Sequence, residues 1–127
     1  MNLKYALSLT MLVGIAVGAA ATQTLHAQTK PPVYMVAMNE VSNPDGYKKE
    51  YLPKAQAAIK QYGGTYVAAG AGTIIDGAFP KGRVVILRWE SLDALHKWHE
   101  SKEYQAALKI GKTFANYNVV AVDGVKQ

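Results

Sequence analysis

Two histidines, His96 and His99, stand three residues apart in the run LHKWHE, and on a helix that spacing sets both imidazoles on one side. Such a pair could meet one metal ion or supply a general base, because imidazole titrates near neutrality. No third ligand is evident, since Glu100 sits about 100° round a helix from His99. We therefore expect no metal, and take His96 and His99 as the candidate catalytic acid–base groups beside the plainer expectation of two solvated histidines flanking a core-facing Trp98. The other concentration of chemistry is phenolic. Tyr47, Tyr51 and Tyr62 share one helix face, with Tyr66 and Tyr104 as further rings. Tyrosines at helical spacing commonly fill a core and bring their hydroxyls to its rim. Their functional counterpart is an aromatic-lined pocket in which Tyr47, Tyr51, Tyr66, Trp98 and Tyr104, with Arg83, hold a small hydrophobic or aromatic ligand. Arg83 and Arg88 differ by an odd number of strand positions, so only one of them faces a given cavity.

Other sites are absent from the chain by composition. It contains no cysteine, which excludes disulfides, thiolate metal centres, cysteine nucleophiles and lipoprotein attachment. Gly70-Ala71-Gly72 lacks the spacing and the Lys-Ser/Thr pair of a phosphate loop, and no Ser-His-Asp set can be assembled. Asp45 belongs to Asn43-Pro44-Asp45, which is turn and helix-capping chemistry. We expect no cofactor.

The elements that must position these residues centre on Lys81 to Gln105. Val84 to Leu87 are consecutive and apolar, as in a strand covered on both faces. Ser91 then serves as N-cap and Asp93 falls in the first turn of a helix whose apolar stripe is Leu92, Leu95 and Trp98. Upstream, Val33 to Met38 is a first strand. A first helix follows from Asn43-Pro44-Asp45-Gly46, with Tyr47, Tyr51, Ala55, Ile59 and Tyr62 stepping mostly by four until Gly63-Gly64 stops it. Pro53 cannot donate its backbone hydrogen bond, so a kink or loose first turn is expected there. Thr65 to Ala69 and Thr73 to Asp76 read as one strand interrupted by Gly70 and Gly72, or two around a bulge. Lys109 to Asn116 is a weakly periodic continuation, and Tyr117 to Val122 is the last strand.

The chain begins with an address. Lys4 supplies a positive start, Tyr5 to Ala21 is uncharged and largely apolar, and small and polar residues follow, the layout of a secretory signal peptide. Cleavage after Ala27 defines residues 1–27 as the signal; Ala19 and Ala21 offer an A-x-A alternative. The 17 residues from Tyr5 to Ala21 are at the short end of the roughly 17–25 that span a bilayer, so membrane contact is expected only through this segment, if it is retained. A periplasmic or secreted protein follows. Residues 28–32 are a linker and 33–127 a single domain. Without Lys4 there are 13 basic and 9 acidic residues, a net of +4, interspersed as on an ordinary solvated surface; no nucleic-acid partner is expected.

The order β-α-β-β-α-β is the α+β, ferredoxin-like pattern, a four-stranded antiparallel sheet with two helices on one face. Strands apolar on both sides leave the second face uncovered, and leaving that area in water is unfavourable by about 25 cal/mol per Å². A second copy of the chain is the expected cover, giving a homodimer.

From Tyr34 to Gly124 the chain resembles the bacterial family known as domain of unknown function 1330, in the dimeric α+β-barrel group. The resemblance is carried by Asp45 with Tyr47, by Tyr62-Gly63-Gly64, by Gly77, by Arg83 through Trp89 and Ser91, and by Trp98, Ser101, Glu103, Tyr104 and Gln105. The family's pattern also carries an arginine before the glycine that ends the second strand and another after the Glu-Tyr-Gln step. Here those positions hold Ala69 and Gly111, so an arginine pair for an anion is missing; Lys109 and Lys112 flank the second position but lack a planar fork. The resemblance implies the dimeric barrel fold and no particular activity. The chain is thus expected to be an exported small-molecule-binding dimer, with a cofactor-independent enzyme of monooxygenase or isomerase type, acting on a small hydrophobic substrate, as the alternative.

Overall fold

Val33, Met35, Ala37 and Asn39 are buried in turn, while Tyr34, Val36 and Met38 between them are half-buried. This period of two defines strand β1, Val33–Val41, with one face against the core. The computed structural model describes residues 30–79 and 82–127. The signal segment, both cleavage positions and the start of the linker lie outside the described residues. Strands β2 (Thr65–Ala71), β3 (Arg83–Trp89) and β4 (Ala115–Asp123) complete a four-stranded sheet of order β2-β3-β1-β4. Every neighbouring pair is antiparallel. This is the ferredoxin-like α+β fold, within a compact unit of Pro31–Val125.

Helix α1 covers 44–61 in three parts: an opening turn Pro44–Gly46, a π-helical turn Tyr47–Tyr51 and the regular helix Leu52–Gln61. Asn43 caps it, accepting from Gly46 N–H at 3.0 Å; Asp45 lies in the first turn instead. The looseness expected at Pro53 takes the form of the π turn, in which Leu52 N–H reaches back five residues to the Tyr47 carbonyl. Pro53 then sits in the first turn of the regular helix, where its missing N–H costs nothing. Gly63, at φ 90°, ends the helix in the left-handed conformation that glycine adopts without strain.

The second helical region differs from the expectation of one helix with a weak continuation. It is two helices, α2 (Leu92–His99) and α3 (Lys102–Gly111). Ser91 caps α2 as expected, accepting from Ala94 N–H at 3.1 Å. Ser101 caps α3, accepting from Tyr104 N–H at 3.1 Å and donating to the Trp98 carbonyl at 2.6 Å. Those two bonds satisfy the end of one helix and the start of the next, which is why the chain turns there. Leu92 does not join the docking stripe. It is exposed, while Leu95 and Trp98 are buried.

Three strand boundaries also shift. β1 runs three residues past Met38, adding the buried Asn39. β2 is one strand whose irregularity falls between Tyr66 and Ala68 rather than at the glycines, and 73–76 is not a strand. β4 starts at Ala115. The core lies between the helices and one sheet face, around Leu87, Trp89 and Trp98. On the other face Tyr34, Val36, Met38, Val84 and Ile86 are half-buried, and Val120 and Val122 are exposed. Among the described residues no helix is long and apolar enough to cross a membrane.

Candidate functional site

The π turn places Tyr47 and Tyr51 side by side over the sheet, ring centroids 4.9 Å apart. Both are buried. Tyr51 meets Tyr117 of β4 at 5.3 Å between centroids and exchanges a hydrogen bond with the Tyr104 hydroxyl of α3 at 2.9 Å. Tyr104 in turn packs on Trp98, centroids 4.0 Å apart. These rings enclose a cavity of about 30 Å³ between α1 and the sheet. All six residues nominated as ligand-binding from the sequence, Tyr47, Tyr51, Tyr66, Arg83, Trp98 and Tyr104, line it.

The sheet supplies the floor in rows. Asn39 of β1 is the register partner of Arg83 on β3 and of Tyr117 on β4, so the three stand abreast on the cavity side. The next rows are apolar: Ala37 with Val85 and Val119, then Met35 with Leu87. Asn39, 4 % exposed, donates from Nδ2 to the Tyr47 hydroxyl at 3.1 Å. Its Oδ1, the Nε of Arg83 and the hydroxyl of Tyr117 are buried with no hydrogen-bond partner among the described residues. Unmet buried polar atoms are few in native proteins, and three in one row mark a place built for something else. The indole N–H of Trp98, also at this cavity, is likewise unpartnered.

Gly111 explains part of this packing. A β-carbon there would run into the Tyr117 hydroxyl and come within 2.5 Å of the Tyr51 ring. An arginine, which the family pattern places here, has no room while Tyr117 and Tyr51 occupy the space. Ala69 pairs with Val85 on edge strand β2 and is exposed. Gly111 thus backs the cavity rings Tyr51 and Tyr117, and Ala69 is not among the residues that line the cavity.

Burial raises the pKa of Tyr47, against the lowering effects of the Asn39 hydrogen bond and the Arg83 charge. Tyr51 and Tyr104 are raised by burial as well, Tyr51 further by its neighbouring phenols. Tyr117 and Tyr66 follow for the same first reason, desolvation. The wall of the cavity is therefore a set of neutral hydroxyls that can donate protons in hydrogen bonds.

Other nominated residues lie elsewhere. His96 is exposed, and His99 is half-buried with its ring 5.8 Å from Trp98 and 5.7 Å from Tyr104, outside the cavity. No group of three metal-ligating side chains occurs among the described residues. Tyr62 points away to Glu103 Oε2 at 3.0 Å. Arg88 is exposed on the opposite sheet face, as parity requires. A larger open hollow of about 620 Å³ under the loop 72–79 is lined, among the described residues, by Ile74, Ile75, Phe79 and Val84, with Asp76 the one titratable side chain, and these gather no comparable polar set.

Sequence reading missed Asn39 and Tyr117 as site residues. Continuing the buried alternation Val33, Met35, Ala37 by one step would have found Asn39. Tyr117 was placed on the last strand, but only the register shows that it stands beside Asn39.

No curated protein matches the sequence. Among solved structures, a protein of unknown function from Rhodopseudomonas palustris is similar with a TM-score of 0.61 at 18% identity, over 82% of this chain and 94% of that one. SnoaB, a cofactor-independent oxygenase from Streptomyces nogalater, is similar with a TM-score of 0.57 at 12% identity, over 76% of this chain and 96% of that one. At those identities the likeness is one of fold. The sequence pattern of the domain of unknown function DUF1330 matches residues 32–125, and the chain, with its sheet, helices and resemblance over the same span, belongs to that family.

Proposed function

We propose that this chain is an exported homodimer that binds a small apolar or aromatic molecule and uses no cofactor. The observation that carries this proposal is the cavity under α1, faced by aromatic rings and lined by four residues whose polar atoms have no partner among the described residues. At about 30 Å³ it has room for about two waters, so a ligand enters only as a wall moves. Tyr66, 39 % exposed on the edge strand β2, is the ring with room to swing out. The apolar open face of the sheet supports the second copy. Tyr34, Val36, Met38, Val84, Ile86, Val120 and Val122 form adjoining rows there, and a matching face would remove them from water.

Native mass spectrometry of the protein purified from its own periplasm tests the binding proposal. A dimer carrying a small co-purified mass is the expected result. A bare dimer that gains no mass on soaking with small aromatic compounds counts against binding, and a monomer at micromolar concentration counts against the second copy. The first residue of the purified chain reads export: Gln28 or Thr22 marks removal of the signal.

A cofactor-independent enzyme, of monooxygenase or isomerase type, is the second proposal. It is favoured by the unpartnered groups themselves, since fixed dipoles in a buried cavity act more strongly on developing charge than they would in water, and by the likeness of fold to SnoaB. Dioxygen uptake or isomerisation with small phenols would distinguish it from simple binding. His96→Ala and His99→Ala, assayed alongside, decide whether a histidine outside the cavity takes part.

A further inference from the structure

We infer that the row Arg83, Asn39, Tyr117 is a hydroxyl-recognition subsite, and that the molecule it selects is a neutral phenol. The inference rests on the small-molecule proposal above and names its ligand class.

The row presents three unmet needs. Among the described residues Asn39 Oδ1 lacks a donor, Arg83 Nε lacks an acceptor, and the Tyr117 hydroxyl, although close to Tyr51, completes no hydrogen bond. The Asn39 amide is oriented by Nδ2 donating to the Tyr47 oxygen at 3.1 Å, which leaves Oδ1 as the free end. A hydroxyl group has one proton to give and two lone pairs to receive with. Given to Asn39, and receiving from Arg83 and Tyr117, it satisfies all three at once. Asn39, Arg83 and Tyr117 are register partners on neighbouring strands and line one cavity, and it is there that the inference places the ligand oxygen.

Other oxygen groups fit less well. An ether or ketone accepts from Arg83 and Tyr117 but leaves Asn39 Oδ1 buried and unmet. A carboxylate does the same and sets its charge against that oxygen. A buried group left without its partner is how a polar site rejects an analogue. What carries the hydroxyl is set by the next rows: Ala37, Val85 and Val119 form the floor, with Tyr51, Tyr104 and Trp98 also at the cavity. Such walls favour a flat aromatic ring over a flexible alcohol.

The test uses the intact mature protein and four probes of similar size: phenol, anisole, acetophenone and benzoate. The chain has two tryptophans, so each indole N–H gives one assignable NMR signal, and Trp98 reports the cavity. Phenol is expected to shift the Trp98 signal with an affinity about tenfold or more above that of the other three, the loss expected when a buried acceptor goes unmet. Equal binding of anisole overturns the hydroxyl assignment while leaving a binding site in place. Tighter binding of acetophenone or benzoate overturns it too, and shows a row of three donors with the amide reversed. If no probe shifts Trp98 and no mass co-purifies, the cavity holds water only, and both the ligand class and the binding proposal fall.

Tyr117→Phe supplies a second readout. The hydroxyl it removes has no hydrogen-bond partner among the described residues, so stability is expected to hold or rise. Phenol affinity is expected to fall severalfold. Unchanged phenol affinity in this variant removes Tyr117 from the subsite.

Discussion

Tyr51 and Tyr104 each bury a hydroxyl whose recorded partner is the other, 2.9 Å away. Removing one oxygen strands its mate, and a buried unmet hydroxyl costs about 1–3 kcal/mol. Removing both leaves two phenyl rings in contact with nothing unpaired. Tyr51→Phe and Tyr104→Phe are therefore each expected to destabilise by that amount. The double variant should lose far less than their sum, a coupling of about 1 kcal/mol or more in a urea-denaturation cycle. Simple additivity would mean that each hydroxyl finds water on its own. The contrast with Tyr117 is informative: its hydroxyl is unpaired already, so the same chemical deletion has the opposite expected sign. Tyr51 and Tyr117 thus separate a phenol paired within the core from one whose hydroxyl the binding proposal assigns to a ligand.

At the scale of elements, the break between α2 and α3 rests on one side chain. Ser101 Oγ accepts from Tyr104 N–H and donates to the Trp98 carbonyl. Ser101→Ala is expected to cost about 1 kcal/mol as a lost cap, with more from the freed carbonyl. Because Tyr104 and Trp98 both line the cavity, hydrogen exchange should quicken at the start of α3 and ligand affinity should drop with it. Unaltered exchange there would show that packing alone holds the turn. The sequence alone does not place a break at this serine, because Ser is ambiguous between ending and starting a helix until its partners are seen. Periodicity did reveal the four strands and α1 with the face that carries Tyr47 and Tyr51, since a core face repeats at two or near four whatever the neighbours do. It could not reveal the polar row. Asn39, Arg83 and Tyr117 are widely separated in sequence, and cross-strand register, which aligns them, is set by long-range pairing. The polar pair Asn39-Glu40 also made β1 look shorter than it is.

For the whole molecule, the buried phenols fix how the protein meets alkali. Tyr47, Tyr51 and Tyr104 have pKa values raised above the ordinary 10.0, first by burial. In the unfolded chain they ionise near pH 10, so above that the folded state binds more protons and stability falls as pH rises. Each contributes a slope of about 1.4 kcal/mol per pH unit over the window between its unfolded and folded pKa, and none below about pH 9. Denaturation midpoints measured across that range should be flat and then drop, with phenolate absorbance from these rings appearing only as structure is lost. Phenolate that appears fully before unfolding would show that the rings are open to solvent. The sheet order has a separate result, in time rather than in energy. β1, the first strand, pairs with β4, the last, from Val33 against Asp123 to Val41 against Ala115, and Gly124 N–H is tied to the Pro32 carbonyl at 2.7 Å. Until the final residues of the chain are available, the central strand has one bare edge and the cavity lacks Tyr117. Contacts this distant in sequence close slowly, so the tyrosine cavity is among the last parts of the molecule to form.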